Sequence, residues 1–467
     1  MITVKDHQTG RLFDPWDYLG PKRRKLFETL TDTLIAAFGV NTSKQRLDST
    51  IIRSNMRKLG RIRICATTIQ KFLKKLRRTH NELFDSPLST EIVDRYLAKN
   101  ADTLFSQVKP SETSRTLQEI GNDLVYLIER FRPYGTVCAL PEYRLLDRVL
   151  HEQFTVTGTC PNTHVTVKPP KDVSSDSLQN PSDPTAGYDA YKGSGYQAQI
   201  METYRTVKQD KNTPDMITYV EVEPANKPDA YGLLPAIDAT SERTCCPDDV
   251  VCDTLYGSDD NVLKAADKGV EIIAPAQGNA PASTTSLSDF SFDPSTNAVV
   301  RCPEGHTPEW AGHTIKNRLK AAFAKTTCSA CHRLNRCPVY YGKKASYLYY
   351  DETQLRIAHR RVSEQSTEFK DKYRWRAGIE GTHSHLKSDT GAGRLRVRGL
   401  AAVRFTIILK ALGLNILRCA RALCACLLSS FYTFCSLRYR LSILIRPLYD
   451  KFHSLLVHHN RFLCFYP

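Results

Sequence analysis

The stretch that most constrains this chain is YRWRAGIEGTHSHLK, near residue 380. On a helix with 100° between residues, an arc of about 60° carries Tyr373, Arg376, Glu380 and Lys387. The opposite face carries Trp375, Ile379, Thr382 and Leu386. The pattern predicts one amphipathic helix with a buried apolar face and a single carboxylate among cations and a phenol. That carboxylate is either a surface salt-bridge partner or a ligand for a metal ion beside a bound polyanion.

The formal net charge of +16 over 467 residues is the second constraint. An excess of this size favours a polyanionic partner, nucleic acid first and an acidic membrane surface second. The polar stretch Met1–Gly10 has no signal-like apolar run, so we expect a cytoplasmic protein. The longest apolar run, Leu423–Ser436, is flanked by arginines and is too short to cross a bilayer comfortably, so we expect no membrane association.

Strand patterns that alternate with helical patterns predict a mixed α/β sheet flanked by helices. Strands are expected at Gln45–Asn55, Gly195–Tyr204, Met216–Val222, Val250–Asp253 and Gly269–Ala274. Helices are expected at Lys25–Phe38, Tyr143–Phe154, Tyr231–Ala239 and Leu400–Cys426, with a helical pattern over residues 57–131. Residues 44–78 hold twelve Lys or Arg and one acid, which indicates a solvated helix face or a track for DNA phosphates.

Two aspartates stand on predicted strands, Asp48 inside one and Asp253 at the end of another. A buried carboxylate on a strand lowers the stability of the fold unless it is paired with a cation, caps a turn or binds a metal ion. Together with Glu380 they supply the carboxylates that two-metal phosphoryl transfer with Mg²⁺ (or Mn²⁺) requires. Adjacent strands can bring the two aspartates together, and a helix packed on the sheet can deliver Glu380.

Four of the fifteen cysteines are grouped along the chain: Cys302, Cys328, Cys331 and Cys337. The CxxC pair can hold one metal ion, and all four would complete a tetrahedral, structural Zn²⁺ site. The alternative is a set of reduced thiols without metal. Farther on, Arg394, Arg396 and Arg398 alternate as on one face of an extended segment, each a phosphate contact or a solvated charge.

Four stretches together resemble successive motifs of DDE transposases, which have a ribonuclease-H-like fold. These are RLDSTIIRSN, residues 177–204, VVCDTLYGS, and the stretch from Tyr373 through RLRVRG. The spacing Tyr-x2-Arg-x3-Glu-x6-Lys is also similar to the YREK signature of bacterial insertion-sequence transposases. The resemblance extends over residues 40–420. It implies that Asp48, Asp253 and Glu380 are the catalytic, metal-binding acids.

The same resemblance implies that Tyr373, Arg376 and Lys387 hold DNA near the cut. It further implies double-stranded DNA as the partner, both transposon ends and target, and a homodimer on that DNA. The reaction would be metal-dependent cleavage at the transposon ends followed by strand transfer. Two alternatives stay open: an inactive, internally shortened DNA-binding remnant, and a metal-dependent nuclease without strand transfer.

Two departures from the resembling family affect this interpretation. The separation between Asp48 and Asp253 is long for this fold, so residues 57–180 would be a helical insertion. Asp183 lies at a more usual distance before Asp253 and is the reserve candidate for the first acid. The region ahead of Asp48 is short, which puts recognition of the transposon ends in question.

The expected organisation divides the chain into seven parts. These are a short N-terminal helical segment (1–43), which would be a truncated DNA-binding region, the first catalytic strand (44–56), the helical insertion (57–180), the main core (181–275), a linker and cysteine-rich insertion (276–345), the C-terminal part of the core (346–420) and a hydrophobic, cysteine-containing tail (421–467).

Overall fold

A six-stranded mixed sheet forms the centre of the molecule in the computed structural model. The structure describes residues 4–5, 12–13, 15–85, 90–158, 163–206, 213–278, 285–314 and 318–440. The strands are β1 (Lys44–Ile52), β2 (Gly187–Asp189), β3 (Gly193–Thr203), β4 (Ile217–Pro224), β5 (Asp249–Cys252) and β6 (Glu271–Ile273). The spatial order of the strands across the sheet is β6-β5-β1-β3, and both β2 and β4 pair with β3. Strands β1, β3 and β4 are antiparallel neighbours, whereas β5 is parallel to β1 and β6 is parallel to β5.

Both faces of this sheet are covered, which the burial of β3 from Gly195 to Thr203 reflects. One face packs against helices α1 (Pro15–Phe38), α2 (Gly378–Ser388) and α3 (Leu400–Arg440). The other face packs against two shorter helices, Leu233–Ser241 and Asp259–Ala266. The predicted mixed α/β class is confirmed. Helix α1 is longer than the segment expected from the sequence, because it begins at Pro15 rather than at Lys25.

Helix α3 is pinned to β4 by Asn415, which is fully buried. Its side-chain oxygen accepts from the backbone N–H of Ile217 at 2.9 Å, and its amide nitrogen donates to the Ile217 carbonyl at 2.9 Å. The segment Leu400–Leu427 is long and apolar enough to cross a membrane, and 44% of its apolar window is buried within the protein. Contacts with the sheet and with α1 account for that buried part. Helix α3 continues to Arg440, beyond the expected end at Cys426, and residues 441–467 of the predicted tail lie outside the described residues.

The long connection between β1 and β2 forms a helical layer with its own core. Its α-helices are Arg61–Thr79, Asn81–Asp85, Thr90–Leu97, Ala101–Ser106, Thr113–Phe131, Gly135–Cys138 and Pro141–Gln153. The core contains Phe72, Leu124 and Phe131, all of which are nearly inaccessible to solvent. A hairpin of Phe154–Thr157 with His164–Val167, absent from the sequence-based prediction, closes the layer.

A second, antiparallel sheet follows the first, in a region where the sequence predicted a linker and cysteine-rich insertion. Its strands, in spatial order, are Trp310–His313, Leu319–Ala324, Ala345–Tyr350 and Tyr340–Tyr341. Every second residue of Leu319–Ala324 is buried, so this strand has one core face. Within the same predicted region of residues 276–345, Ser291–Phe292 pairs with Val299–Arg301, and residues 279–284 lie outside the described part.

Candidate active site

Two neighbouring parallel strands bring Asp48 and Asp253 side by side. Strands β1 and β5 pair in register up to Leu47 and Cys252, so the next residue on each chain segment is an aspartate. Asp48 lies within β1, whereas Asp253 follows β5 and accepts a hydrogen bond from the backbone N–H of Thr254 at 2.7 Å. The carboxylates therefore meet where the two strands stop pairing.

A single guanidinium, that of Arg376, is within ion-pair distance of three carboxylates. Its Nη2 lies 2.9 Å from Oδ2 of Asp48 and 3.8 Å from Oδ2 of Asp253. Its Nη1 lies 3.6 Å from Oε1 of Glu380, one helical turn farther along the chain. The structure thus gathers the three predicted catalytic acids around one positive charge.

The three carboxylates differ strongly in exposure. The side chain of Asp48 is 14% exposed, that of Asp253 40% and that of Glu380 69%. Burial raises the pKa of Asp48 to about 6 from its ordinary value of 3.8, against the opposing effect of the Arg376 guanidinium. The negative charge of Asp253 adds to the rise. Asp48 is therefore an acid whose charged form needs a nearby cation.

The chemistry of this cluster suits a divalent metal ion. Carboxylate oxygens are the ligands that Mg²⁺ and Mn²⁺ prefer, and three of them here share one positive group. The buried Nε of Arg376 has no hydrogen-bond partner, so the guanidinium is held only through its terminal nitrogens. Among the described residues, no three His, Cys, Asp or Glu side chains stand close enough, as placed, to hold a metal ion.

Helix α2, which carries Glu380, is fixed to the sheet by a buried carboxylate that sequence reasoning missed. Glu202 of β3 is fully buried and accepts from Arg46 Nε at 2.8 Å and from Thr382 Oγ1 at 2.6 Å. Arg418 of α3 donates at 2.9 Å to Oε2 of Glu202, the same oxygen that accepts from Thr382, whereas Arg46 donates to Oε1. Arg46 precedes Asp48 by two residues and Thr382 follows Glu380 by two, so Glu202 connects the two acid-bearing segments. An acid inside an apolar strand pattern was the available signal.

Close packing at the start of α2 depends on Gly378. A Cβ at this position would lie 2.0 Å from Nη1 of Arg46, which donates to the backbone carbonyl of Trp375 at 3.0 Å. A side chain here would have to displace the Arg46 guanidinium or move the helix away from the sheet. Glycine thus lets α2 lie directly on the arginine that Glu202 holds.

The predicted continuous helix from Tyr373 to Lys387 is wrong in one respect. A helix of Thr367–Tyr373 ends, a 3₁₀ turn spans Arg374–Ala377, and only then does α2 begin. The tighter turn directs Arg376 toward Asp48 while keeping it within reach of Glu380. The predicted core positions Ile379, Thr382 and Leu386 are buried, and Trp375 is half-buried.

Tyr373 and Lys387, the other two residues of the YREK spacing, are both half-buried. The Tyr373 ring stacks on Phe369, with 5.5 Å between ring centroids. Burial raises the pKa of Tyr373, and the nearby Arg376 opposes the rise. Burial lowers the pKa of Lys387, and the neighbouring charge of Arg53 lowers it further. Tyr373 is therefore beside the acids, and Lys387 belongs to an adjoining positive region.

That positive region continues along an extended segment beside the end of β1. The backbone N–H of Leu395 donates to the backbone carbonyl of Arg53 at 2.8 Å, and the backbone N–H of Asn55 donates to the backbone carbonyl of Val397 at 3.0 Å. Leu395 is buried, whereas the alternate residues Arg394, Arg396 and Arg398 are exposed, as the alternation predicted. In the part of the chain that the structure describes, no carboxylate lies within 4.0 Å of the charged groups of Arg53, Arg394, Arg396 or Lys387.

Asp183, the reserve candidate, has a different environment. It is fully buried and accepts hydrogen bonds from Ser54 Oγ at 2.5 Å, from the Gly399 N–H at 3.0 Å and from the Tyr196 hydroxyl. These donors fasten the segment after Arg398 to the end of β1. Asp183 therefore acts as a structural tie and has no face open to a substrate.

Comparison with known proteins adds one sequence match. The sequence model of a family described as "Transposase DDE domain" matches residues 301–420, about a quarter of the chain, which includes Glu380 but neither aspartate. No functionally curated protein matches the sequence. A solved structure titled "Cryo-EM structure of piggyBac transposase synaptic complex with hairpin DNA" is 11% identical, with 79% of this chain and 68% of that chain covered. Its TM-score is 0.23, a level of similarity that does not establish a common fold.

Proposed function

We propose that this protein is a DDE-class DNA transposase that cleaves the ends of a mobile element and joins them to target DNA. The observation that carries the proposal is the meeting of Asp48, Asp253 and Glu380 at one guanidinium. These acids come from two strands and a helix that lie far apart in the sequence. The family match over residues 301–420 supports the same class independently of the two aspartates.

The proposed fold of the core is ribonuclease-H-like. In sequence order, the antiparallel strands β1, β3 and β4 come first, and β5 and β6 follow them. Strand β5 pairs parallel to β1, and β6 pairs parallel to β5. The helical layer between β1 and β2 and the second sheet after β6 are then insertions into this core. The proposed insertions leave β1 and β5 adjacent, so the two aspartates stay together despite their separation in sequence.

The carboxylates of Asp48, Asp253 and Glu380 would hold the divalent ions, Mg²⁺ or Mn²⁺. Such ions acidify a bound water and stabilise charge on a phosphodiester undergoing displacement. The protein's own part is to present three carboxylates of graded burial on rigid elements. Arg376 balances their charge and lies where the DNA backbone would approach. Tyr373 would contact the same backbone from the preceding helix.

Double-stranded DNA is the proposed partner, held by the unpaired positive charges beside the acids. Lys387, Arg53 and the exposed arginines 394, 396 and 398 form what we call the basic strip. Without described carboxylate partners, these side chains can neutralise phosphates and release counterions, and Arg398 also donates from Nε to the Asn55 carbonyl. We further propose that two copies act together on two element ends, that the source is a bacterial insertion sequence, and that the protein works at the nucleoid in the cytoplasm.

The test is cleavage and joining of duplex DNA that carries the sequences flanking the coding region, with Mg²⁺ or Mn²⁺. The wild type should release 3′-hydroxyl ends and join them to a second duplex, while Glu380→Gln should do neither and still bind DNA. Glu368→Gln, an exposed acid of the preceding helix, is the matched control and should remain active. Cleavage without joined products would indicate a nuclease instead. DNA binding without any cleavage by the wild type would indicate an inactive remnant.

A further inference from the structure

The four grouped cysteines border one small cavity beside the second sheet. Its walls contain none of the acids of the proposed active site. This cavity has a volume of about 30 Å³, and its walls include Cys302, Cys328, Cys331 and Cys337. A space of about 10–15 Å³ suffices for a single water molecule. The cavity therefore has room for one ion and for little else.

Two tight turns present three of these thiols. In the first, the N–H of Gly305 donates to the Cys302 carbonyl at 2.8 Å, and Gly305 adopts φ of +81°, which favours glycine. In the second, the N–H of Cys331 donates to the Cys328 carbonyl at 3.2 Å. Both turns are compact, so each holds its cysteine backbone in a defined position.

An ion pair holds the two turns against each other. Glu304 of the first turn accepts from Nε of Arg333, just after the second turn, at 2.6 Å. His332 lies 3.7 Å from the same carboxylate. The thiols are thus brought to a common cavity by contacts that do not involve sulfur.

The chemistry around the cavity favours a soft cation over free thiols. All four cysteines are half-buried and unpaired, and the cavity wall also includes the apolar Phe323 and Val339. Four cysteine sulfurs around one small space are a ligand set that Zn²⁺ commonly binds in structural sites.

We propose that Cys302, Cys328, Cys331 and Cys337 bind one structural zinc ion that ties the two turns to the segment leading into the strand Tyr340–Tyr341. Zn–S bonds measure about 2.3 Å, so binding must close the sulfurs onto the ion, since no three of them stand at ligand distance beforehand. Four protein ligands leave no open position, so the ion stabilises the second sheet and takes no part in chemistry. The inference is independent of the proposed transposase activity.

The test is the metal content of the full-length protein after expression with zinc and purification without chelator. The wild type should carry about one zinc per chain. Cys328→Ser and Cys331→Ser should each lose most of it, whereas Cys138→Ser, a half-buried cysteine outside the group, should keep it. Repeating the measurement in Asp253→Asn excludes zinc bound at the carboxylates from the count.

Cobalt substitution of the wild type keeps the test decisive if a serine variant fails to fold. Co²⁺ bound by thiolates should give a sulfur-to-cobalt charge-transfer absorption in the near ultraviolet, which carboxylate ligands do not give. A zinc-free wild type without that absorption would overturn the proposal, as would disulfide bonds among the four cysteines. Retention of zinc by both serine variants would also overturn it. None of these measurements requires DNA, so their outcome is separate from the cleavage test.

Discussion

Replacing Asp48 with asparagine should stabilise the metal-free protein while removing its proposed activity. Burial raises the pKa of Asp48 from 3.8 to about 6, so its charged form is disfavoured in the folded state. A shift of about two units corresponds to about 3 kcal/mol at neutral pH. Partial exposure of the cluster reduces the expected gain for Asp48→Asn to about 1–2 kcal/mol.

The sign of the pH dependence follows from that raised pKa. The folded wild type binds a proton more readily than the unfolded chain, so its penalty is absent below pH 3.8 and complete above about pH 6. The stability advantage of Asp48→Asn should therefore be largest at pH 7.5 and should shrink as the pH falls toward 4. Thermal unfolding with EDTA at several pH values measures it.

Asp183→Asn is the matched control for this experiment, because Asp183 is a buried aspartate that its neighbours satisfy. Its three donors would face an amide, so the variant should lose about 1–3 kcal/mol, opposite in sign to Asp48→Asn. If Asp48→Asn were less stable than the wild type at pH 7.5 without metal, the inferred cost of the buried charge would be wrong.

Three further outcomes are expected. Thr382→Val should leave buried partners unsatisfied and slow DNA cleavage about tenfold or more with DNA binding retained, whereas Thr406→Val, which loses only a bond within its own helix, should not. Replacing Arg394 and Arg396 together with alanine should weaken DNA binding and lower the slope of log K against log salt by about 1.8 in titrations. Burial lowers the pKa of His383 from 6.5 to about 4, so as the pH falls this histidine is protonated in the unfolded chain before it is protonated in the folded protein. The free energy of unfolding should therefore decrease as the pH drops from 6.5 to 4. The variant His383→Asn should lack about 3 kcal/mol of that decrease, measured by unfolding experiments at both pH values.

Much of the sheet could be predicted because its strands have distinctive local patterns. Runs rich in β-branched residues marked β1, with Asp48 inside it, and β5, with Asp253 just after it, and parallel pairing of these strands brings the two aspartates together. The position of Glu380 followed from a helical pattern with one polar face. These features depend on short stretches of sequence, so they are readable without knowledge of the tertiary structure.

Other features depend on partners that are distant in sequence and could not be read in this way. The anchor at Glu202 requires Arg46 and Arg418 at once, three segments that only the folded sheet unites. The 3₁₀ turn before α2 lets Arg376 reach Asp48, and a regular helical pattern gives no sign of it. The alternation of Leu319–Ala324 was a usable signal for the second sheet, but the region was interpreted from its cysteines as an insertion without strands.

Binding of Mn²⁺ to the metal-free protein tests the central claim most directly. The account predicts that the three carboxylates at Arg376 form one cation site, observed as a loss of the free Mn²⁺ signal in electron paramagnetic resonance. Asp48→Asn and Asp253→Asn should each weaken that binding at least tenfold, while Glu368→Gln should bind as the wild type does. Equal Mn²⁺ affinity in all four proteins would contradict the claim that these acids form a metal site.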